Sequence, residues 1–184
     1  MVGEKRQVRV VWINGAFGVG KTTVANLLRD AVPGTVIVDP EEVGSLLRMT
    51  LQPVVPVHDF QEWGAWRDLV GATVTSVARE LPLGSRGLVV VPQTITEETY
   101  WAQIIEGLGE VIELIPVSLR VEESEHRRRA EGDTEEPGAL RWRLAKFGRF
   151  EDTTWIDKSF TVLDTTGRSP EDTVDELIEL IGSR

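Results

Sequence analysis

Residues 15–22 carry the pattern in this chain that points most directly to chemistry. They read Gly-Ala-Phe-Gly-Val-Gly-Lys-Thr and match G-x-x-x-x-G-K-[ST] at every fixed position. Glycines let backbone N–H groups converge on phosphate oxygens, and Lys21 can bridge the β- and γ-phosphates of a nucleotide. The hydroxyl of Thr22 can bind Mg²⁺. The pattern predicts a nucleoside triphosphate site, and a glycine-rich turn without a ligand is the disfavoured alternative.

Thr23 is also assigned to the predicted triphosphate site; the alternative is that its hydroxyl has only a structural role. The residues assigned to nucleotide binding at this loop are Gly15, Ala16, Phe17, Gly18, Val19, Gly20, Lys21, Thr22 and Thr23.

Strands and helices alternate around this loop. An apolar, β-branched run at 8–13 predicts a buried strand, and the apolar residues that follow Lys21 have helical spacing. Further strands are predicted at 35–38, 88–91, 111–119 and 160–163. This order predicts an α/β protein with a five-stranded parallel sheet covered on both faces. Ligands of such sheets bind at the carboxyl ends of the strands.

Composition excludes several classes of function. The 184 residues suit one domain, and the net charge of −10 disfavours nucleic acid as a partner. No cysteine is present and only His58 and His126 offer imidazole, which argues against a structural zinc site. No apolar run reaches the roughly 20 residues of a membrane span, and the N-terminal residues lack a signal-peptide pattern. We therefore expect a cytoplasmic protein, with peripheral membrane contact left open, that is a monomer or a homodimer.

The segment around the loop resembles a known family. Residues 12–22 read Trp-Ile-Asn-Gly-Ala-Phe-Gly-Val-Gly-Lys-Thr, and Asp-Pro-Glu-Glu-Val-Gly follows at 39–44, with Leu47-Arg48 after it. These residues are similar to the bacterial tunicamycin-resistance proteins, relatives of chloramphenicol phosphotransferase, shikimate kinase and adenylate kinase. The resemblance is strongest over the first fifty residues. It implies a three-layer P-loop NTPase fold of the nucleoside and small-molecule kinase type, as a single domain over 1–184, with an acceptor-binding region at about 39–80 and a helical lid at about 122–150.

The resemblance also implies an acceptor site after the second strand. Asp39 would accept a proton from the attacking hydroxyl or orient it, and would join Thr22 at the metal; helix capping is the alternative and can coexist. Arg48 would hold an anionic acceptor, or would lie exposed. Trp63 and Trp66 are neighbours on a helix and could stack on the acceptor, or belong to the core. The residues assigned to the acceptor are Asp39, Glu42, Arg48, Phe60, Trp63, Trp66, Arg67 and Gln93.

By the same resemblance, arginines after the fourth strand would close over the transferring phosphate. Three consecutive arginines at 127–129 cannot share one helix face. We assign Arg127 to catalysis with Lys21 and Asp39, and Arg129 to nucleotide binding; a solvated helix face is the alternative. Thr165, after the last strand, would pack on the adenine, and an ordinary turn is its alternative.

One feature departs from the usual kinase pattern. The third strand should end in an acidic residue that holds Mg²⁺ through water, but here Pro92-Gln93-Thr94 follows it. Either Asp39 assists Mg²⁺, or Gln93 supports water and acceptor, or the metal binds weakly. The leading hypothesis is an ATP- and Mg²⁺-dependent phosphotransferase that acts on a small molecule, such as a nucleoside antibiotic of the tunicamycin type. A resistance protein that binds ATP and sequesters the drug unmodified, and a nucleotide kinase, are the alternatives.

Overall fold

The computed structural model describes residues 7–82, 86–131 and 140–183, without the side chains of 140–143, 145 and 146. Its strands are β1 (Val8–Gly15), β2 (Val36–Ile37), β3 (Val89–Pro92), β4 (Ile112–Arg120) and β5 (Thr161–Asp164). Its α-helices are α1 (Lys21–Ala31), α2 (Pro40–Leu51), α3 (Gly64–Glu80), α4 (Glu98–Glu106), α5 (Glu123–Glu131), α6 (Leu140–Glu151), α7 (Ile156–Ser159) and α8 (Pro170–Gly182). A short 3₁₀ helix at Phe60–Glu62 precedes α3.

The five strands form one parallel sheet in the order β2-β3-β1-β4-β5. β1 lies in the middle, and its apolar run is continuous rather than alternating because both of its faces are buried. The fully buried side chains of this strand are Val10, Val11, Trp12 and Ile13. The predicted α/β class and five-stranded parallel sheet are confirmed.

Helix boundaries follow local signals in the sequence. Asp39 caps α2, with Pro40 in the first turn, and Ser169 forms a capping box with Asp172 at the start of α8. The prediction that Trp63 and Trp66 lie on one helix is wrong, because the chain is extended at Trp63 between the 3₁₀ helix and α3.

The sheet brings the residues that follow β1, β2 and β3 to one edge. Gln93 continues the ladder of β3 by donating its backbone N–H to Ile13 O, and Val38 donates to Val90 O. The predicted lid, 122–150, contains α5 and α6, while 132–139 lie outside the described residues. Over the described ranges, no helix combines the length and the apolar character needed to cross a membrane.

Candidate active site

The loop between β1 and α1 is shaped by glycines with left-handed backbone angles. Gly18 has φ 82° and Gly20 has φ 105°, values that side chains rarely adopt. At Gly15 an added Cβ would lie only 2.7 Å from Cγ1 of Val19, so this position also requires a glycine. The loop leads directly into α1 at Lys21, and the backbone N–H groups at this helix end favour an anion.

Asn14 and Thr94 fasten this loop to the chain after β3. The buried Asn14 accepts hydrogen bonds at Oδ1 from the N–H groups of Gly15 and Ile95, each at 2.9 Å. Its Nδ2 donates to Ile95 O at 3.1 Å, and Thr94 Oγ1 donates to Gly15 O at 2.7 Å. These bonds fix the loop relative to Gln93 before any ligand binds, as a preorganised phosphate site requires.

Lys21 lies in the loop with its ammonium turned toward the loop's own carbonyl oxygens. Nζ donates to Gly15 O at 3.0 Å and to Ala16 O at 2.9 Å. Burial lowers the pKa of Lys21 to about 7, and the carboxylate of Glu41 opposes this shift. A phosphate anion beside Nζ would favour the charged form and raise this pKa again.

This lowered pKa predicts proton uptake when a triphosphate binds. At pH 8, about nine-tenths of Lys21 is neutral, so binding of an anion should draw about 0.9 proton from solution. Affinity for Mg-ATP should be nearly constant below pH 7 and fall up to tenfold per pH unit above it. Calorimetry in two buffers of different ionisation enthalpy measures the uptake. In Lys21→Arg the guanidinium stays protonated, so proton uptake on triphosphate binding at pH 8 should disappear. Equal proton uptake by the parent and the variant would show that Lys21 is not the group that takes up the proton.

A cavity of about 310 Å³ opens on this loop, and we call it the phosphate cavity. It brings together residues from the loop, the end of β2 and the end of β3. Its lining consists of Phe17, Gly18, Gly20, Lys21, Thr22, Thr23, Asp39, Glu41, Pro92, Gln93 and Thr94. The predicted partners Lys21, Thr22, Asp39 and Gln93 therefore share one cavity.

Asp39 caps α2 and also lines the phosphate cavity. Its Oδ1 accepts from the N–H of Glu41 at 2.9 Å and so caps α2. The residue is exposed and its carboxylate lines the phosphate cavity, which leaves the second oxygen accessible there.

Gln93 presents a buried amide to the same cavity. Its side chain is only 2% exposed, and Nε2 donates to Thr94 O at 3.2 Å. Among the residues that the structure describes, none donates a hydrogen bond to its Oε1. A buried acceptor left unpaired costs about 1–3 kcal/mol, so this oxygen favours a donor on a molecule bound in the cavity.

The oxygen donors at this cavity fit Mg²⁺ that arrives with a triphosphate. Thr22 offers a hydroxyl, Asp39 a carboxylate, and Gln93 an amide oxygen able to accept from a metal-bound water. Mg²⁺ usually keeps several waters and takes few protein ligands beside substrate phosphates. No group of three or more His, Cys, Asp or Glu in the described ranges could hold a metal without the nucleotide.

A second cavity, of about 370 Å³, lies on the other side of the loop, between it and α5 and α8. Arg129 crosses its wall, donating to Thr165 O at 2.8 Å and pairing with Glu125 at 3.0 Å. The two residues predicted to bind the nucleotide beyond the loop, Arg129 and Thr165, thus line one cavity with Gly18 and Val19. We call it the nucleoside cavity, because its position beside the loop suits the sugar and base.

The structure brings Arg127, Arg48 and Glu42 to neither of these two cavities. The side chain of Arg127 is 51% exposed and pairs with Glu123 at 3.5 Å, as on a solvated helix face. The guanidinium of Arg48 is exposed and lies 5.3 Å from the ring centroid of Phe60.

The aromatic side chains of Phe60, Trp63 and Trp66 pack within the protein and line neither the phosphate cavity nor the nucleoside cavity. Trp66 is fully buried and donates from Nε1 to Pro40 O, and Trp63 donates to Val55 O. Phe60 packs on Trp66 with a centroid distance of 5.1 Å. Arg67 is buried, donates to Gln61 O and Gln103 Oε1, and covers the ring of Tyr100. These contacts favour the core alternative for the two tryptophans and give Arg67 a structural role.

A third cavity, of about 300 Å³, adjoins the phosphate cavity and shares Phe17 and Thr94 with it. We call it the lateral cavity. The predicted acceptor-binding region, 39–80, and the predicted lid, 122–150, contain part of its lining, but Phe17 is the one lining residue that was assigned individually to a site. The lining consists of Phe17, His58, Asp59, Gln61, Glu62, Thr94, Thr96, Glu97, Tyr100 and Arg149. The one local signal was the spacing of Asp59 and Glu62, which form a capping box on the 3₁₀ helix.

His126 is a further residue that sequence reasoning missed. It is fully buried on α5, and its Nε2 lies 2.7 Å from Phe17 O. Because a carbonyl only accepts, Nε2 carries the proton in this contact. The ring stacks on Phe147 of α6 at 4.2 Å, so His126 connects both helices of the predicted lid to the phosphate loop.

Solved structures share this architecture over nearly the whole chain. No protein-family model and no curated protein matches the sequence. The tunicamycin resistance protein of Deinococcus radiodurans superposes with a TM-score of 0.68 at 23% identity, covering 96% of each chain. A sugar kinase from Janibacter sp. HTCC2649 gives 0.63 at 18% identity, covering 96% of this chain and 95% of that one. The APS kinase of Mycobacterium tuberculosis, in complex with AMPPNP and APS, gives 0.57 at 20% identity, covering 96% and 98%.

The chain has the P-loop kinase fold. The resemblance to tunicamycin-resistance proteins that the first fifty residues carry thus extends, as a likeness of fold, across almost the whole chain. Residues 15–22 connect β1 to α1 in this fold, and residues of this loop line all three cavities.

Proposed function

We propose that this protein is an ATP-dependent phosphotransferase that transfers the γ-phosphoryl group to a hydroxyl of a small molecule. The observation that carries this proposal is the phosphate cavity, where Lys21, Thr22 and Asp39 surround one space at the carboxyl edge of the sheet. Phosphoryl transfer needs mainly positioning and charge stabilisation, and these residues supply both. ATP is available in the cytoplasm, where we place the reaction.

In the proposed reaction, the acceptor oxygen forms a bond to the γ-phosphorus while the bridging bond to the β-phosphate breaks. ADP leaves, and the proton of the hydroxyl passes to Asp39. Lys21 and the N–H groups of the loop hold the phosphate oxygens throughout. Mg²⁺, held through Thr22, Asp39 and Gln93, would neutralise charge on the β- and γ-phosphates.

Arg149 is a better candidate for the lid cation than Arg127. Arg149 lines the lateral cavity together with Phe17 of the phosphate loop, whereas Arg127 is paired with Glu123 outside the cavities. Arg129 is committed to Thr165 and Glu125 in the nucleoside cavity. We therefore assign charge stabilisation at the transferring group to Arg149 and nucleotide binding to Arg129.

The test is incubation of the protein with Mg-ATP and a panel of hydroxyl compounds that includes tunicamycin. ADP formation is followed continuously, and mass spectrometry looks for an acceptor that has gained one phosphoryl group. Lys21→Met is the control for contaminating kinases. Nucleoside monophosphates in the same panel test the nucleotide-kinase alternative. A protein that binds Mg-ATP and phosphorylates no member of a broad panel would contradict the proposal.

Sequestration of a drug without modification is the second candidate function. Gln93, in place of an acidic residue after β3, favours it, because a neutral amide holds a metal-bound water less strongly than a carboxylate does. In the experiment above, tight binding of unchanged tunicamycin would support sequestration.

The amide of Gln93 also predicts how the Mg²⁺ requirement should change when a negative charge is introduced at position 93. Gln93→Glu should lower the Mg²⁺ concentration for half-maximal activity about tenfold at pH 7.5, because a carboxylate replaces a neutral acceptor at the same position. Gln93→Met, of similar size but apolar, should not lower it. Titration of Mg²⁺ at saturating ATP measures the effect. An unchanged requirement in Gln93→Glu would exclude Gln93 from the metal's surroundings.

A further inference from the structure

The lateral cavity has an acidic lining that the phosphate chemistry does not use. Asp59, Glu62 and Glu97 contribute carboxylates, and Arg149 is the single lysine or arginine lining it in the described part of the chain. If Arg149 serves the transferring phosphate, three negative charges remain for whatever else occupies the cavity. Such a lining attracts a cation and repels an anion.

Among the side chains that the structure describes, these carboxylates are largely uncompensated. Asp59 accepts from the N–H of Gln61 at 3.0 Å, and Glu62 accepts from the N–H of Asp59 at 2.9 Å, so each uses one oxygen in the capping box. Glu97 precedes α4 and makes no side-chain capping bond. Over residues 7–82, 86–131 and 140–183, no ion pair joins any of the three to a basic side chain.

A glutamine amide also lines this cavity. Gln61 is only 7% exposed as a residue, and its Nε2 donates to Thr94 O at 2.9 Å. Its Oε1 receives no hydrogen bond from the described residues. This oxygen is able to accept a hydrogen bond from an N–H or O–H group of the occupant.

A metal ion does not explain this arrangement. The described residues contain no group of three or more His, Cys, Asp or Glu that could hold one ion, and the carboxylates of the lateral cavity therefore do not form such a group. An organic cation of several heavy atoms can reach separated carboxylates. Thr96 and Tyr100 add hydroxyl groups that suit a polar, hydroxylated occupant.

We propose that the lateral cavity binds the acceptor, and that the acceptor is a hydroxyl-rich small molecule with a protonated amine, such as an amino sugar or an aminocyclitol. This inference rests on the proposed phosphotransferase function. The volume of about 300 Å³ lies at the lower end of small-molecule pockets. The wall formed by Phe17 and Thr94 is shared with the phosphate cavity, so a hydroxyl there meets the γ-phosphate while the amine faces Glu97.

The test is direct binding, measured by calorimetry with the protein saturated by a non-hydrolysable ATP analogue. Matched pairs isolate the amine: glucosamine against glucose, and 2-deoxystreptamine against myo-inositol. We expect each amine to bind at least tenfold more tightly than its neutral partner, and glucose 6-phosphate to bind least. Equal affinities within both pairs, tightest binding of the phosphate ester, or no binding by any compound would overturn the proposal.

Neighbouring glutamates provide a matched pair of variants. Glu97→Gln should reduce the preference for the amines at least fivefold, whereas Glu98→Gln, one residue further and outside the cavity lining, should leave it unchanged. Equal preference in both variants would remove Glu97 from the site. Titration of each free variant with the ATP analogue measures nucleotide binding separately. Each amine that binds is then incubated with the parent protein and Mg-ATP; amine binding without ADP formation in that assay would count against the phosphotransferase function and leave the chemistry of the cavity standing.

Discussion

Lys21→Met is expected to lower kcat/KM for phosphoryl transfer by about a thousandfold or more. Nζ is held within the loop by Gly15 O and Ala16 O and lines the phosphate cavity, so its charge acts directly on the β- and γ-phosphates. Methionine keeps the length of the side chain and removes both the charge and the donors. Steady-state kinetics with saturating acceptor, beside direct titration of Mg-ATP, separates loss of turnover from loss of binding.

The thermal stability of Lys21→Met should not fall with its activity, and we expect it to stay the same or rise. The pKa of Lys21 is about 7 in the folded protein and ordinary in the unfolded chain, so at pH 7 folding favours the neutral form and the charge opposes folding. This penalty is full below pH 7 and disappears only as the pH approaches the ordinary lysine value. Lys21→Met should therefore melt at or above the temperature of the parent protein at pH 7.

Because activity and melting temperature should not fall together in Lys21→Met, a loss of activity can be distinguished from unfolding. An inactive variant that melts at a higher temperature has lost chemistry and not structure. Arg29→Met, on the exposed end of α1, is a control that should alter neither property appreciably. Activity within tenfold of the parent in Lys21→Met would remove Lys21 from the transfer step.

The fold and the phosphate loop were predictable because their signals are local. The continuous apolar run of β1 marks a strand buried on both faces, and the glycines after it admit the backbone angles of a phosphate loop. The capping residue and proline after β2 mark the start of α2. These features identify Asp39 and Lys21 without knowledge of distant contacts.

The lateral cavity was not predictable in the same way, because four segments that are distant in the sequence form it. These are Phe17, residues 58–62, residues 94–100 and Arg149, and no segment alone carries a recognisable pattern of a binding site. Trp63 and Trp66 were predicted to bind the acceptor instead. Their indole N–H groups donate to Val55 O and Pro40 O, and so hold α2 and the loop after it in place.

Helical periodicity alone does not distinguish Arg127 from Arg129. On α5 the buried residues are His126 and Ala130, four apart, and at about 100° per residue Arg127 and Arg129 lie equally far from the centre of this buried face. Their tertiary partners distinguish them, because Arg129 donates to Thr165 O whereas Arg127 pairs only with Glu123 among the described residues. His126 contacts the phosphate loop at Phe17 O, which Arg127 does not reach.

Asp39→Asn is the second variant with a large expected effect, a reduction in kcat of about a hundred- to ten-thousandfold. The proposed role of Asp39 is to accept the proton of the attacking hydroxyl, and an amide cannot do so. Asparagine is as good a helix N-cap as aspartate, so the bond from the N–H of Glu41 and the stability of α2 should persist. Asp68→Asn, on the exposed surface of α3, is the matched control.

The metal role of Asp39 is distinguishable from its role as a base. If Asp39 acts as the base, Asp39→Asn should keep the Mg²⁺ requirement of the parent while its kcat stays low at every Mg²⁺ concentration. If Asp39 acts through the metal, the variant should need about tenfold more Mg²⁺ and recover activity when it is supplied. Full turnover by Asp39→Asn at ordinary Mg²⁺ would contradict both roles and leave Asp39 as the cap of α2 alone.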